Sequence, residues 1–278
     1  MANDYALGYS TEEERRLVQQ AEIFEPLTTD VFRHAGIGAN MRVLDIGCGV
    51  GDVSLVAARL VGSGGNVLGI DRGEESILTA RRRAKSLGID NVTFVATDIA
   101  SFATEETFDA IVGRLILLYF PDPSAMLRRL SSFLRPDGIM VFQEMDMSTF
   151  ASVSSSTLAD RVGNWIRDAF AVAGVQTEMG PRLPNIFIDA GFPRPEMIAG
   201  QRVASGFEAL PYIVMASTVK SLMPVMERAK IATATEIDID TLAVRLREEA
   251  TRKGEPVAYS PRLVGAWARK PGRSSPGL

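Results

Sequence analysis

The sequence predicts an α/β fold built on a mostly parallel sheet, and three observations carry that expectation. Short apolar runs alternate with stretches of helical periodicity from residue 41 to residue 146, the pattern of successive βαβ units. The first run, Val43, Leu44, Asp45 and Ile46, passes into Gly47-Cys48-Gly49-Val50-Gly51 and then straight into a helical pattern at Asp52. A second run, 66–70, ends in Asp71, where an acidic side chain can accept hydrogen bonds from ribose hydroxyls.

The elements follow in order. Ser10-x-x-Glu13 reads as a capping box, and Leu17, Ala21 and Phe24 keep helical spacing until Pro26 interrupts it; a short second helix is expected over 30–35. The first strand covers 41–46, and Val53, Val56, Ala57 and Leu60 line the helix after it. The second strand covers 67–70. Ile77, Ala80, Ala84 and Leu87 then form a helical stripe that Gly88 ends. Strands are expected at 92–96 and 108–112. Asp122 caps a helix with Pro123 at its first position and Met126, Leu127, Leu130 and Leu134 facing inward. Pro136-Asp137-Gly138 turns into a fifth strand, 139–142, and right-handed crossovers make these strands parallel. Beyond Glu144 a serine-rich loop (148–157) leads to helices within 158–173 and 181–191. Two further runs, 196–203 and 259–268, bring the strands to seven. Between them 207–253 is helical, with Met215, Val219, Leu222 and Met226 on one face and Pro224 expected to bend or break it. The tail 270–278, rich in Pro, Gly and Ser, is expected to be mobile.

The chain has 278 residues, enough for one large α/β domain or two small ones, and a net charge of −4. That balance supplies no basic surface, so neither nucleic acid nor an anionic membrane is an expected partner. Cys48 is the single cysteine, which excludes an intrachain disulfide and fits a reducing cytosol. The first residues lack the basic-then-apolar layout of a signal peptide, and the apolar run near 115–120 is far short of a membrane span. The expectation is a soluble, cytoplasmic protein.

The glycine spacing narrows the ligand. A dinucleotide site calls for G-x-G-x-x-G, but the third position holds Asp52, whose carboxylate would repel a pyrophosphate. Gly47-x-Gly49-x-Gly51, preceded by Asp45, resembles the E/D-x-G-x-G-x-G signature of class I S-adenosylmethionine-dependent methyltransferases. The resemblance covers about 41–146. From Phe108-Asp109-Ala110-Ile111-Val112 through Tyr119-Phe120-Pro121-Asp122-Pro123 to Leu134-Arg135-Pro136-Asp137-Gly138, the chain is similar to bacterial small-molecule methyltransferases of the ubiquinone/menaquinone-biosynthesis type. It implies a Rossmann-like seven-stranded sheet, mostly parallel with an antiparallel edge formed by the two late strands, plus N-terminal helices and a helical lid insertion. The implied layout is a single domain: an N-terminal cover (1–36), a cofactor-binding core (37–146), connecting helices and a strand (147–206), the lid (207–256) and a final strand (257–270). The lid's methionines suit an apolar substrate, and core packing explains them nearly as well.

S-adenosyl-L-methionine is the implied cofactor. The resemblance assigns Asp45, Gly47, Cys48, Gly49 and Gly51 to its methionyl part, whose carboxylate the loop N–H groups can hold, Asp71 to the ribose and Arg72 to the adenine side. Thr97-Asp98-Ile99 resembles the family's acidic adenine-binding motif, with a helix N-cap as the alternative for Asp98. Tyr5 and Tyr9 lie in a segment like that with which relatives cover the cofactor. Arg114 stands where Asn, Ser or Asp is commoner; it holds the cofactor carboxylate or an anionic substrate oxygen, or pairs with Glu144 or Asp146. Glu144 is the candidate general base, and Tyr119 is either a substrate contact or a core residue. Glu144 and Asp146 could together hold a divalent ion, but no third oxygen ligand is evident and no metal is expected. His34 suits a helix C-terminus, Cys48 an apolar gap, and Arg81, Arg82 and Arg83 a solvated face.

The function implied is transfer of a methyl group from S-adenosylmethionine to an O, N or C atom of a hydrophobic small-molecule metabolite. Three alternatives stand beside it: an S-adenosylmethionine-binding enzyme that cyclises or decarboxylates without methylating, an NAD-dependent dehydrogenase, against which Asp52 argues, and a non-catalytic binding protein. A homodimer stays open.

Overall fold

The computed structural model describes residues 7, 11–148, 157–206, 210–252 and 257–272. The expected roles of Tyr5 and Tyr9 lie outside the described residues. The chain folds into two compact units that interleave along the sequence: a larger one of Glu25–Glu144, Met179–Ala199 and Leu263–Leu278, and a second of Met1–Phe24, Met145–Glu178 and Gly200–Arg262.

In chain order the elements are α1 (Thr11–Ala35), β1 (Arg42–Ile46), α2 (Asp52–Val61), β2 (Asn66–Asp71), α3 (Glu74–Ser86), β3 (Val92–Ala96) and β4 (Phe108–Arg114). A 3-10 turn at Leu117–Tyr119 leads to α4 (Pro123–Ser131), β5 (Leu134–Asp146), α5 (Thr157–Val172), α6 (Leu183–Asp189), β6 (Glu196–Gly200) and β7 (Val203–Ser205). The chain closes with α7 (Leu210–Arg228), α8 (Ala234–Ile237), α9 (Leu242–Thr251), β8 (Val257–Tyr259) and β9 (Arg262–Arg269).

Among the described residues a seven-stranded sheet runs β3-β2-β1-β4-β5-β9-β6. It is mostly parallel, with one antiparallel strand; the pairs β1–β2, β2–β3, β1–β4 and β4–β5 are parallel. Val43, Leu44 and Ile46 of β1 are fully buried, as a central strand covered on both faces must be. Chain order reverses between β1 and β4, and in open sheets of this kind ligands bind at the carboxyl ends of the strands beside that switch. Two apolar clusters fix the geometry there. One joins Val31, Phe32 and Ala35 of α1 to α2 and the central strands; the other packs Cys48, Leu55, Ile77, Ala80 and Phe94.

Three expectations are corrected. Pro26 does not divide the first helix: α1 continues through it to Ala35. Proline removes one ladder donor, and Ile23, Phe24, Val31 and Phe32, buried on either side of it, outweigh that loss. Nor does Pro224 break α7, whose Val219, Leu222, Met223 and Met226 are buried. The two late strands each divide. β6 and β9 join the main sheet, while β7 and β8 pair separately as an antiparallel ribbon. Pro261 has no N–H for a ladder, and the Ser260 hydroxyl accepts from Arg202 N at 3.0 Å, so the chain turns out of one sheet and into the other.

The second unit contains α5, α7 and α9 packed on one another. Inside it Arg16 and Glu13, both buried, form an ion pair at 2.6 Å, and the Ser221 hydroxyl donates to Glu13. No helix among the described residues is long and apolar enough to cross a membrane.

Candidate functional site

The loop between β1 and α2 has Gly47, Gly49 and Gly51 at φ of +64°, +52° and +88°. Such angles strain any residue with a Cβ. Neighbours restrict two of the positions further. A Cβ on Gly47 would come within 2.5 Å of Ile116 Cδ1, and one on Gly51 within 3.0 Å of Ala80 and Phe94; at Gly49 there is open space. The loop ties itself down through its own donors. Cys48 N donates to Ile70 O, Gly51 N to Cys48 O, and Gly49 N to the Asp71 carboxylate at 2.9 Å. Those three N–H groups are therefore engaged within the protein.

Two carboxylates frame the loop. Asp71 closes β2 and accepts from Gly49 N on one oxygen and from Gly73 N on the other, at 2.8 Å. Asp45 lies in β1 and is buried. The Ser54 hydroxyl donates to its Oδ2 at 2.6 Å, and its Oδ1 has no hydrogen-bond partner among the described residues. Gly69 makes this pair possible, because a Cβ there would stand 2.7 Å from Ser54 Oγ. Burial, opposed by Ser54 and Arg114 and reinforced by Asp71 and Asp52, pushes the Asp45 carboxyl up to about 7. A buried acidic oxygen lacking a donor fits the ammonium of a methionyl group. The pair of carboxylates Asp45 and Asp71 beside the loop does not fit a pyrophosphate.

At the carboxyl ends of β4 and β5 a buried polar chain runs through Arg114. Its guanidinium donates to the Thr28 hydroxyl at 3.0 Å, and Thr28 donates to Gln143 Oε1 at 2.7 Å. Arg114 forms an ion pair with Asp52 at 3.5 Å, a partner not among those expected for it, which were the cofactor carboxylate, an anionic substrate oxygen, Glu144 or Asp146; Asp52 is also held by Arg83 at 2.5 Å. Burial pulls the Arg114 guanidinium down from its ordinary value, against the raising influence of Asp52 and Asp45. Glu144 is fully buried. One oxygen accepts from Ile116 N at 3.0 Å and Leu117 N at 2.8 Å, and the other has no partner among the described residues. Burial outweighs these backbone donors and pushes its carboxyl up to about 8. Tyr119, half-buried, lies in the turn that Glu144 caps.

The remaining candidates are dispersed. Asp98 is exposed after β3 and accepts from Ala100 N, opening a turn, while Ile99 O accepts from Arg129. Arg72 is exposed beside Asp71. The Cys48 side chain fills the apolar cluster around Leu55 and Phe94, and burial pushes its thiol up. Asp146 bonds Ser148 and Arg262. His34 is exposed at the end of α1, with Nδ1 2.8 Å from Asp30 O. Sequence reasoning missed Ser54, Thr28, Gly69 and the ionic role of Asp52. Only Ser54 had a local signal, a hydroxyl three residues into a helix otherwise lined by apolar side chains.

The parallel sheet, its reversal at β1 and β4 and the acidic glycine loop define the Rossmann-like architecture of class I S-adenosylmethionine-dependent methyltransferases. A family model described as a methyltransferase domain matches residues 37–190, more than half of the chain, and the chain belongs to that family. It is 35% identical over 129 residues to a ubiquinone biosynthesis O-methyltransferase of Parvibaculum lavamentivorans, a match covering 46% of this chain and 49% of that protein. The chain thus spans about half the length of the curated relatives it matches. Among solved structures, a SAM-dependent methyltransferase from Aquifex aeolicus superposes with a TM-score of 0.54 at 16% identity, covering 94% of this chain and 99% of that one. The cyclase SpnF superposes with a TM-score of 0.52 at 20% identity, covering 89% and 81%. Likenesses at this identity establish the fold alone, and a cyclase among them means the fold does not by itself specify methyl transfer.

Proposed function

We propose that this chain binds S-adenosylmethionine at the β1–α2 loop and transfers its methyl group to an O, N or C atom of a hydrophobic small molecule. One observation carries the cofactor assignment. Asp45 and Asp71 flank the loop, and the buried Asp45 retains an oxygen with no donor among the described residues, an arrangement suited to a cationic amino acid. Asp45 takes the ammonium, and Asp71 takes the ribose hydroxyls while anchoring the loop. Arg72, Asp98 and Ile99 serve the adenine side. Arg114, Tyr119 and the turn between them border the reacting end. The cofactor supplies a methyl group on a sulfonium, already a good leaving group. What the chain contributes is alignment of the acceptor, an effect that reaches roughly 7–11 kcal/mol in well-oriented systems. The apolar acceptor is supported by relatives named for ubiquinone biosynthesis and for nocamycin O-methylation. With a net charge of −4 and one buried cysteine, the chain suits small metabolites in the cytoplasm better than nucleic acid.

Calorimetry with S-adenosylmethionine and S-adenosylhomocysteine tests the cofactor, and methyl-labelled cofactor incubated with phenols, quinols, amines and carboxylic acids tests transfer. Micromolar binding and label in an extracted product are expected. Binding of neither compound at millimolar concentration overturns the reading. Binding with product formed but never labelled would favour the cyclising or decarboxylating alternative.

A further inference from the structure

Glu144 has the residue type of a general base, but its surroundings give it a different task. It is fully buried, and one carboxyl oxygen is occupied by the N–H groups of Ile116 and Leu117 at 3.0 and 2.8 Å. These donors belong to the turn that follows β4. Leu115, at its start, sits at φ +55°, a left-handed conformation that a leucine keeps only when its surroundings hold it there. The side chain of Ile116 then folds back over the sheet, close enough that a Cβ on Gly113 or on Gly47 would collide with it. Glu144 therefore grips the backbone of a residue whose side chain abuts Gly47 of the glycine loop.

We propose that Glu144 is a positioning residue: by clamping Ile116 and Leu117 it seats Ile116 against Gly47 and so sets the shape of the cofactor loop, and it does not take the acceptor's proton. The inference rests on the assignment of that loop to the cofactor. The groups packed around Glu144 agree with it. Arg114 on β4 is turned to Thr28 and Asp52, Gln143 on β5 to Thr28, and Gly180 lies beside the Glu144 carbonyl. No side-chain ion contributes to its titration, and burial favours the neutral acid, which glutamine imitates in shape and in acceptor.

The test compares wild type, Glu144→Ala, Glu144→Gln, Ile116→Ala and the Glu144→Ala/Ile116→Ala double variant. S-adenosylhomocysteine affinity is measured by calorimetry, and protection of the Ile116 and Leu117 amides by hydrogen exchange. Glu144→Ala should weaken binding about tenfold, as loss of a buried acceptor that leaves two N–H groups without a partner does, and should expose both amides. Glu144→Gln should restore protection and most of the affinity. Ile116→Ala should weaken binding with the amides still protected, and the double variant should bind no worse than Glu144→Ala, because both act through one contact. Wild-type affinity in Glu144→Ala, or Glu144→Gln as weak as Glu144→Ala, overturns the proposal. So does turnover lost in Glu144→Gln at unchanged affinity, the signature of a base. Should Glu144→Ala fail to fold, Glu144→Gln and Ile116→Ala decide between clamp and base. If wild type binds no S-adenosylhomocysteine, the cofactor reading fails, while the amide protection still decides whether Glu144 is the clamp.

Discussion

Asp71 joins two tasks that the sequence shows as one. Its position after the second strand marks it for ribose hydroxyls, yet both of its oxygens already accept backbone N–H groups, from Gly49 and Gly73. Asp71→Ala should therefore lower S-adenosylhomocysteine affinity and also destabilise the fold, by about 1–3 kcal/mol for donors left unpaired. Urea denaturation beside calorimetry checks this; weaker binding at unchanged stability would confine Asp71 to the ligand. Asp45 differs because it is buried. With its carboxyl pushed up to about 7, it is largely neutral in mild acid and must ionise to pair with an ammonium. Affinity should rise between about pH 6 and pH 8 in wild type and stay flat in Asp45→Asn, as read by calorimetry across that range. Asp71 was singled out by its place after the second apolar run, and Asp45 by the resemblance of the glycine loop. Ser54, Thr28 and Gly69 were not, because each matters only through a partner that folding brings beside it. Thr28, for example, bonds residues 86 and 115 positions away.

At the level of elements, the β1–α2 loop separates backbone strain from crowding. All three glycines have positive φ, but among the described residues only Gly47 and Gly51 are pressed by neighbours. Gly49→Ala should cost about 1–2 kcal/mol, the penalty for a left-handed residue with a Cβ. Gly47→Ala and Gly51→Ala should each cost about 1–3 kcal/mol more, because side chains must shift. Thermal or urea unfolding of the three variants ranks them, and equal losses would mean that Ile116, Ala80 and Phe94 yield freely. Strand–loop–helix units were readable because their apolar periods are local. The continuous α1 was not: Pro26 is a local break signal, and the buried residues that override it lie on both sides of it. The late strands failed for the opposite reason. An apolar run is legible, but whether Val203 and Tyr259 leave the sheet as a separate pair depends on Ser260 and Pro261 at the corner.

For the molecule as a whole, the two buried carboxyls set a pH dependence. Asp45 and Glu144 titrate in the folded protein near 7 and near 8, against ordinary values of 3.8 and 4.5. Between those limits the folded state holds protons that the unfolded state has released, so stability falls as pH rises. The contribution is intact below the ordinary values and gone above the folded ones. Urea midpoints should therefore decline from about pH 5 to about pH 8.5, and the Asp45→Asn/Glu144→Gln double variant should flatten the decline. A midpoint that does not decline across that window would show that the two acids hold no extra protons in the folded protein.

The sequence by itself determined the alternation of strands and helices, the glycine loop with its flanking acids and the family to which they belong, because each is written in residues close together along the chain. Tertiary structure alone decided what those residues touch. It placed Arg114 on Asp52 and Thr28, left an Asp45 oxygen without a donor among the described residues and set Glu144 beneath the turn of Ile116 and Leu117. Burial and long-range contact set the protonation and the task of an acid, and neither is a property of its neighbours in sequence.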